Sequence, residues 1–282
     1  MAEFLKLDIP LEHGVPLYLT PFGDTHLDAG DCDVKAVMRT LKERSKLPNH
    51  YFVGIGDTFN LIYGHDFRAS IKHARDEYME NEYINNLLEQ GSKELFGSGA
   101  KWLAMGMGNH ESALVKKFGI NVTKLFCDKH NIPYSGYSGV IRLAFKDKGG
   151  TTKTTHQVRW HHGGQGGAVT KGMPWANRYF AGFEGDDTCW FGHVHHHWMQ
   201  IIPKCGYTER GKPYMRPQHV ICCGTGQRTQ PEGGTSWAEV KGFPITAHGY
   251  FPLTVLLPIH SNGTTTIKQL TCMGDIDARF FG

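Results

Sequence analysis

Tyr51-Phe52-Val53-Gly54-Ile55-Gly56-Asp57 is a short apolar run that stops on a glycine and delivers a carboxylate. Four other stretches are built the same way. Leu17-Tyr18-Leu19 leads to Gly23-Asp24, and Trp102-Leu103-Ala104-Met105 leads to Gly108-Asn109. Val158 and Trp160 lead to His162-Gly163, and Cys189-Trp190-Phe191 leads to Gly192-His193. Runs of this length suit strands covered on both faces, although periodicity alone leaves a buried helix open.

Between and beyond these runs the pattern is helical. Asp31 or Asp33 can cap a helix that buries Val34, Val37, Met38 and Leu41 and stops near Pro48. A second helical region is expected from about Phe67 to Glu89, with Ile71, Ala74, Tyr78, Ile84, Leu87 and Leu88 inward and Gly91 as its end. A third spans Asn121 to His130, closed by Ile132-Pro133. After Pro217 strands return at His219 to Cys222, Leu253 to Leu257 and Thr265 to Leu270. Helix alternating with strand, then a β-rich tail, predicts a layered α/β sandwich.

The bulk composition sets outer limits. With 282 residues, 40% apolar and 20% charged, the chain can bury a sizeable core and is neither disordered nor fibrous. A net charge of +3, spread thinly apart from Lys42, Arg44 and Lys46, allows a polyanionic substrate without describing a dedicated nucleic-acid face. Seven cysteines form no CxxC pair, and Cys222 and Cys223 are adjacent, which is poor disulfide geometry. No signal peptide and no apolar stretch of membrane-spanning length is visible, so a reducing, cytoplasmic setting away from membranes is expected.

Metal-capable residues gather just after the expected strands. Asp24-Thr25-His26, Asp57, Asn109-His110, His161-His162, and His193 with His195 stand at five strand ends, where open α/β sheets bind ligands. Asp and Asn favour turns, so any one pair is ordinary loop chemistry. Five in order are not. Two divalent cations about 3.5–4 Å apart repel, and a shared carboxylate relieves that repulsion where imidazole cannot. Oxygen donors mixed with imidazole suit manganese, iron, zinc, nickel or cobalt.

In these residues the chain resembles the calcineurin-like metallophosphoesterases. Gly23-Asp24-Thr25-His26 is similar to their DxH block, Gly56-Asp57-Thr58-Phe59-Asn60 to GDxx[DN], and Gly108-Asn109-His110-Glu111 to GNH[DE]. His162-Gly163 and Gly192-His193-Val194-His195 complete the set, which covers about residues 17 to 197. The resemblance implies one four-layer α/β/β/α domain over residues 1–282, with two mixed β-sheets flanked by helices. It would carry a helical insertion at about 61–99 and a β-rich part from about 217. It further implies that Asp24, His26 and His195 hold one metal, that Asn109, His162 and His193 hold the second, and that Asp57 bridges them. His110 would face the substrate. The implied cofactor is a pair of divalent ions, manganese first among them, with hydroxide attacking phosphorus in line.

Local details leave choices open. Strand alternation puts His162 on the face of Val158 and Trp160, so it is preferred over His161 as the ligand. Asn60 stands where many members carry an aspartate, and Leu61-Ile62 replaces the Arg-Gly of the protein phosphatases. Asn60 is expected to hydrogen-bond His110. The difference favours phosphodiesters, in a nucleotide or nucleic acid, over phosphomonoesters or phosphoproteins. A metal-bound interaction scaffold is the alternative outside catalysis. The 61–99 segment is either a flank helix or a wall beside the metals, and the glycines at 163–167 either border the site or cradle phosphate.

Overall fold

In the computed structural model, which describes residues 3–62, 74–79, 82–164, 170–230, 237–240 and 242–274, the apolar runs become strands of two mixed sheets. One sheet has the order β1 (Glu3–Pro10), β5 (Ser138–Lys146), β6 (Thr152–His161), β7 (Thr188–Phe191), β9 (Pro213–Cys223) and β8 (His197–Tyr207). The other has the order β11 (Thr264–Cys272), β10 (Leu253–Ser261), β2 (Leu17–Phe22), β3 (His50–Ile55) and β4 (Trp102–Gly106). The helices are α1 (Val34–Ser45), α2 (Asp76–Met79), α3 (Tyr83–Phe96), α4 (Asn109–Phe118), α5 (Val122–His130), α6 (Met173–Ala181) and α7 (Trp237–Val240).

Strand alternation sorts the core into layers. Leu19, Val53, Ile55 and Ala104 meet Ile141, Val158, Trp160, Trp190 and Ile221 between the sheets. Their chain neighbours point the other way: Phe22, Phe52 and Met105 pack against Val37, Leu41, Leu87, Leu95 and Phe126 of α1, α3 and α5. On the far side Cys189, Phe191, Val220 and Cys222 are covered by Ala176 and Phe180 of α6. The result is the four-layer α/β/β/α sandwich. Strands buried on both faces read as unbroken apolar runs because each face feeds a different core. The parallel pairs β2–β3–β4 and β6–β7 bring all five functional loops out at strand carboxyl ends.

Local signals set the helix ends. Asp33 caps α1 by accepting from the Ala36 N–H, and Asn121 caps α5 by accepting from Lys124. The region expected to form one helix from Phe67 to Glu89 is divided instead. Glu82, in the left-handed region at φ 69°, separates α2 from α3. The start of that expected helix, with Arg68, Ile71 and Lys72, lies outside the described residues. Its described part packs on the flank of the five-stranded sheet, with Tyr78, Tyr83 and Leu87 buried there.

Gly91 does not end α3, which continues to Phe96. It is a packing glycine. A Cβ there would lie 2.7 Å from Phe59 Cζ and 2.8 Å from Phe126 Cζ, two buried rings stacked on each other. Gly91→Ala ordinarily strengthens a helix by about 0.5–1 kcal/mol, but overpacking costs about 1–3 kcal/mol. The variant is expected to be less stable than the native chain in urea titration. Equal or higher stability would show that the rings can give way.

All seven cysteines are free thiols, and among the described residues no helix is long and apolar enough to cross a membrane.

Candidate metal centre

The strand-end loops turn sharply to bring their side chains together. Asp24, His26, Asp57, His193 and His195 all have φ between 46° and 72°. Residues with a Cβ take this left-handed conformation rarely and at a cost of about 1 kcal/mol or more, and such positions cluster at functional sites. Main-chain bonds hold the turns. Asp24 N donates to Gly56 O at 3.0 Å, His26 N to Asp57 O at 3.2 Å, and Gly226 N to Asp24 O at 2.8 Å. Asp24 Oδ2 accepts the His193 N–H at 2.8 Å, and Asp57 Oδ1 accepts the His110 N–H at 2.9 Å.

Two groups of potential ligands result, Asp24 with His26 and His195, and Asp57 with His162 and His193, each with its donor atoms within 4.8 Å of one another. Asn109 Oδ1 joins the second group, 3.0 Å from His162 Nε2 and 2.7 Å from His193 Nδ1. Nδ1 of His162 faces the Ile55 carbonyl at 3.2 Å. Since a carbonyl only accepts, that contact leaves Nε2 as the atom presented to the centre. His26 Nε2 and His195 Nε2 stand 3.2 Å apart. Gly108 is required here, because a Cβ would fall 2.1 Å from Asp57 Oδ1 and 2.6 Å from His162 Cε1.

His161 turns away, accepting the Gly163 N–H at 2.9 Å and packing beside the stacked rings of Trp175 and Tyr179. His162 is the histidine the structure brings to the group. Residues 165–169 of the glycine-rich loop lie outside the described residues.

Three features of the surroundings escaped sequence reading. Fully buried Glu111 accepts from Asp57 N at 3.0 Å, Gly108 N at 2.8 Å and Phe59 N at 3.2 Å, tying two functional loops together. Buried Asp28 accepts from the N–H groups of Asn60 and Leu61 and from the Tyr83 hydroxyl. The loop after β9 supports Asp24 through Gly226 N and the Thr225 hydroxyl, 2.9 Å from Asp24 O. Glu111 stands inside a quoted motif, yet residue type alone does not say that a carboxylate points at backbone rather than at metal.

The Asn60 contact also differs from expectation. His110 Nδ1 bonds the main-chain carbonyl of Asn60, not its side chain. Any residue at position 60 supplies that carbonyl, so the amide side chain there says less about His110 than the sequence suggested.

Electrostatics couple the two groups through Asp57. Burial pushes its carboxyl upward, but His162, His110 and His26 outweigh burial and hold it well below the usual range. Burial pushes Asp24 well above that range, with His162 opposing and Asp57 adding to the rise. Burial opposes a charge on His162, but Asp57 overrides it and raises the imidazole to about 9. Burial drives His26 well down and His195 down to about 3, while Glu111 rises to about 8 through burial and the Asp57 charge.

The donor set fits divalent cations. Buried Asp24 Oδ1 has no hydrogen-bond partner, an arrangement a protein interior normally avoids. Metal–ligand bonds of about 2.1 Å set neighbouring donors about 3 Å apart. The 2.7–3.2 Å contacts among His26, His195, Asn109, His162 and His193 have that spacing.

No protein-family model matches the chain, and no curated protein matches it. Among solved structures it is similar to Vacuolar Protein Sorting 29 from Cryptosporidium parvum. The identity is 14% and the TM-score 0.38, over 92% of this chain and 99% of that one. A likeness that low transfers no function.

Proposed function

We propose that the chain is a phosphoric ester hydrolase dependent on two divalent metal ions. The observation that carries this reading is the gathering of two carboxylates, four imidazoles and one amide at five strand ends, with the buried Asp24 Oδ1 left without a hydrogen bond. Asp24, His26 and His195 would hold one ion, and Asn109, His162 and His193 the other, with Asp57 between them. Ions so placed supply a lowered water pKa and charge neutralisation on phosphate oxygens.

The remaining work belongs to the chain. Nδ1–H of His110 is committed to the Asn60 carbonyl, so the doubly protonated ring would donate Nε2–H to a departing ester oxygen and be left as the neutral Nδ1–H form. Glu111 fixes the main chain at Asp57 and Phe59, holding the turn that presents the Asp57 carboxylate. Leu61-Ile62, in place of Arg-Gly, favours a phosphodiester in a nucleotide or nucleic acid. The free thiols suit a reducing compartment such as the cytoplasm.

The test is a calorimetric titration with manganese followed by paired assays on bis-p-nitrophenyl phosphate and p-nitrophenyl phosphate. Two ions per chain and preference for the diester are expected. Preference for the monoester would move the substrate class, and the absence of bound manganese would end the proposal.

Metal uptake should depend on pH with a definite sign. Only deprotonated His162 can ligate through Nε2, and Asp57 raises its pKa to about 9. Below that value each ion bound there must displace a proton. Apparent affinity should therefore weaken about tenfold per unit of falling pH from this residue alone, roughly a hundredfold between pH 8 and pH 6. A pH-independent manganese dissociation constant across that range would contradict the His162 assignment.

A further inference from the structure

Asp28 stands four residues beyond Asp24 and does not join the gathered ligands, yet it is buried and accepts three hydrogen bonds. One of them comes from Leu61 N at 2.9 Å to Asp28 Oδ2. The carbonyl that receives His110 Nδ1 belongs to Asn60. That carbonyl and the Leu61 N–H are the two ends of one peptide unit. A single planar amide thus joins the imidazole to a carboxylate, with Nδ1–H at one end and Oδ2 at the other.

We propose that Asp28 is a positioning residue that sets the tautomer and orientation of His110 through the Asn60–Leu61 peptide. It takes the part that a carboxylate touching the ring would otherwise take. The inference rests on the reading of His110 given above. An anion accepting the N–H end of an amide makes its carbonyl end more negative, and successive bonds strengthen one another in a buried setting. A carbonyl accepts only, so the ring carries its proton on Nδ1 and turns Nε2 toward the centre, 4.0 Å from Asp57 Oδ2.

The local backbone agrees. Leu61 has φ 53°, a conformation a leucine resists, and it follows directly on the Asn60 carbonyl that meets His110. Asp28 Oδ1 holds the Asn60 N–H while Oδ2 holds the Leu61 N–H, so both sides of the turn are fixed by one side chain. Tyr83, from α3, donates its hydroxyl to Oδ2 and brings the 61–99 segment into the arrangement. Asparagine cannot replace this carboxylate, because its amide nitrogen would face a donor.

The decisive variant is Asp28→Asn, read in two ways. Nitrogen-15 NMR of the metal-free protein, with the ring neutral, should show His110 as the Nδ1–H tautomer in the native chain and as a mixture in the variant. With manganese and an alkyl phosphodiester, turnover should fall about 10- to 100-fold with KM within about twofold, part of what proton transfer contributes. In a His110→Asn background the same substitution should cost less than about twofold, since there is no ring left to position. An unchanged tautomer in D28N, or an equal loss of turnover in the His110→Asn background, would overturn the proposal. A native chain that hydrolyses no phosphate ester would remove the functional reading, while the tautomer measurement would still decide the role of Asp28. If D28N does not fold, Tyr83→Phe serves. Freeing one lone pair of Oδ2 should move the Leu61 N–H and His110 Nδ1–H proton resonances downfield together, and movement of the Leu61 signal alone would defeat the relay.

Discussion

Asp57→Asn is expected to abolish hydrolysis, by at least about a thousandfold, and to weaken manganese binding by about a hundredfold or more. The two losses have one origin. Asp57 is the anion whose field reaches His26, His162 and His195, and it also raises the buried carboxyl of Asp24. An amide of the same shape keeps an oxygen for the His110 N–H and should leave the fold in place. It lacks the negative charge that would offset two cations held close together. Calorimetry together with metal analysis of the dialysed protein should show fewer than two ions per chain. Two ions at native affinity in this variant would mean that Asp57 is not shared between them.

His110→Asn should separate binding from chemistry. His110 belongs to neither ligand group, and its ring nitrogens meet the Asn60 carbonyl on one side and approach Asp57 on the other. Manganese stoichiometry should therefore be unchanged while turnover falls about 10²- to 10⁴-fold, the usual contribution of a positioned proton donor. The size of the fall should depend on the leaving group. An alkyl ester, whose oxygen leaves poorly without a proton, should suffer most, and a p-nitrophenyl ester should suffer least. Equal losses on both substrates would assign His110 to charge stabilisation instead of proton transfer. Loss of metal would make it a ligand.

The fold was legible where each strand is buried on both sides. Val53 and Phe52 feed different cores, so their stretch is apolar at every position and ends abruptly on Gly56-Asp57. Some elements with a wet face carry a weaker signal. β8 alternates half-buried and exposed along its length, with Ile201 and Tyr207 open to solvent, and lacks a continuous apolar signal. α4 is hidden in sequence because its first residues, Asn109 and His110, signal chemistry more strongly than the start of a helix. Gly91 looks like a helix end in sequence because a sequence cannot show two phenyl rings pressing on a backbone. Among site residues, those whose atoms point into the centre stood out by type and order. Asp28 and Glu111 did not, since they act on main-chain amides whose direction only the folded loops define.

The left-handed turns at Asp24, His26, Asp57, His193 and His195 have a consequence for inheritance. Glycine would relax each turn, and at Asp24 and His26 it would also remove a buried polar atom that has no hydrogen-bond partner. A duplicate gene freed from selection for chemistry would therefore drift downhill at these codons, trading function for robustness. Libraries screened for heat resistance alone should enrich the same replacements. Persistence of all five side chains in a lineage would thus be a record of use.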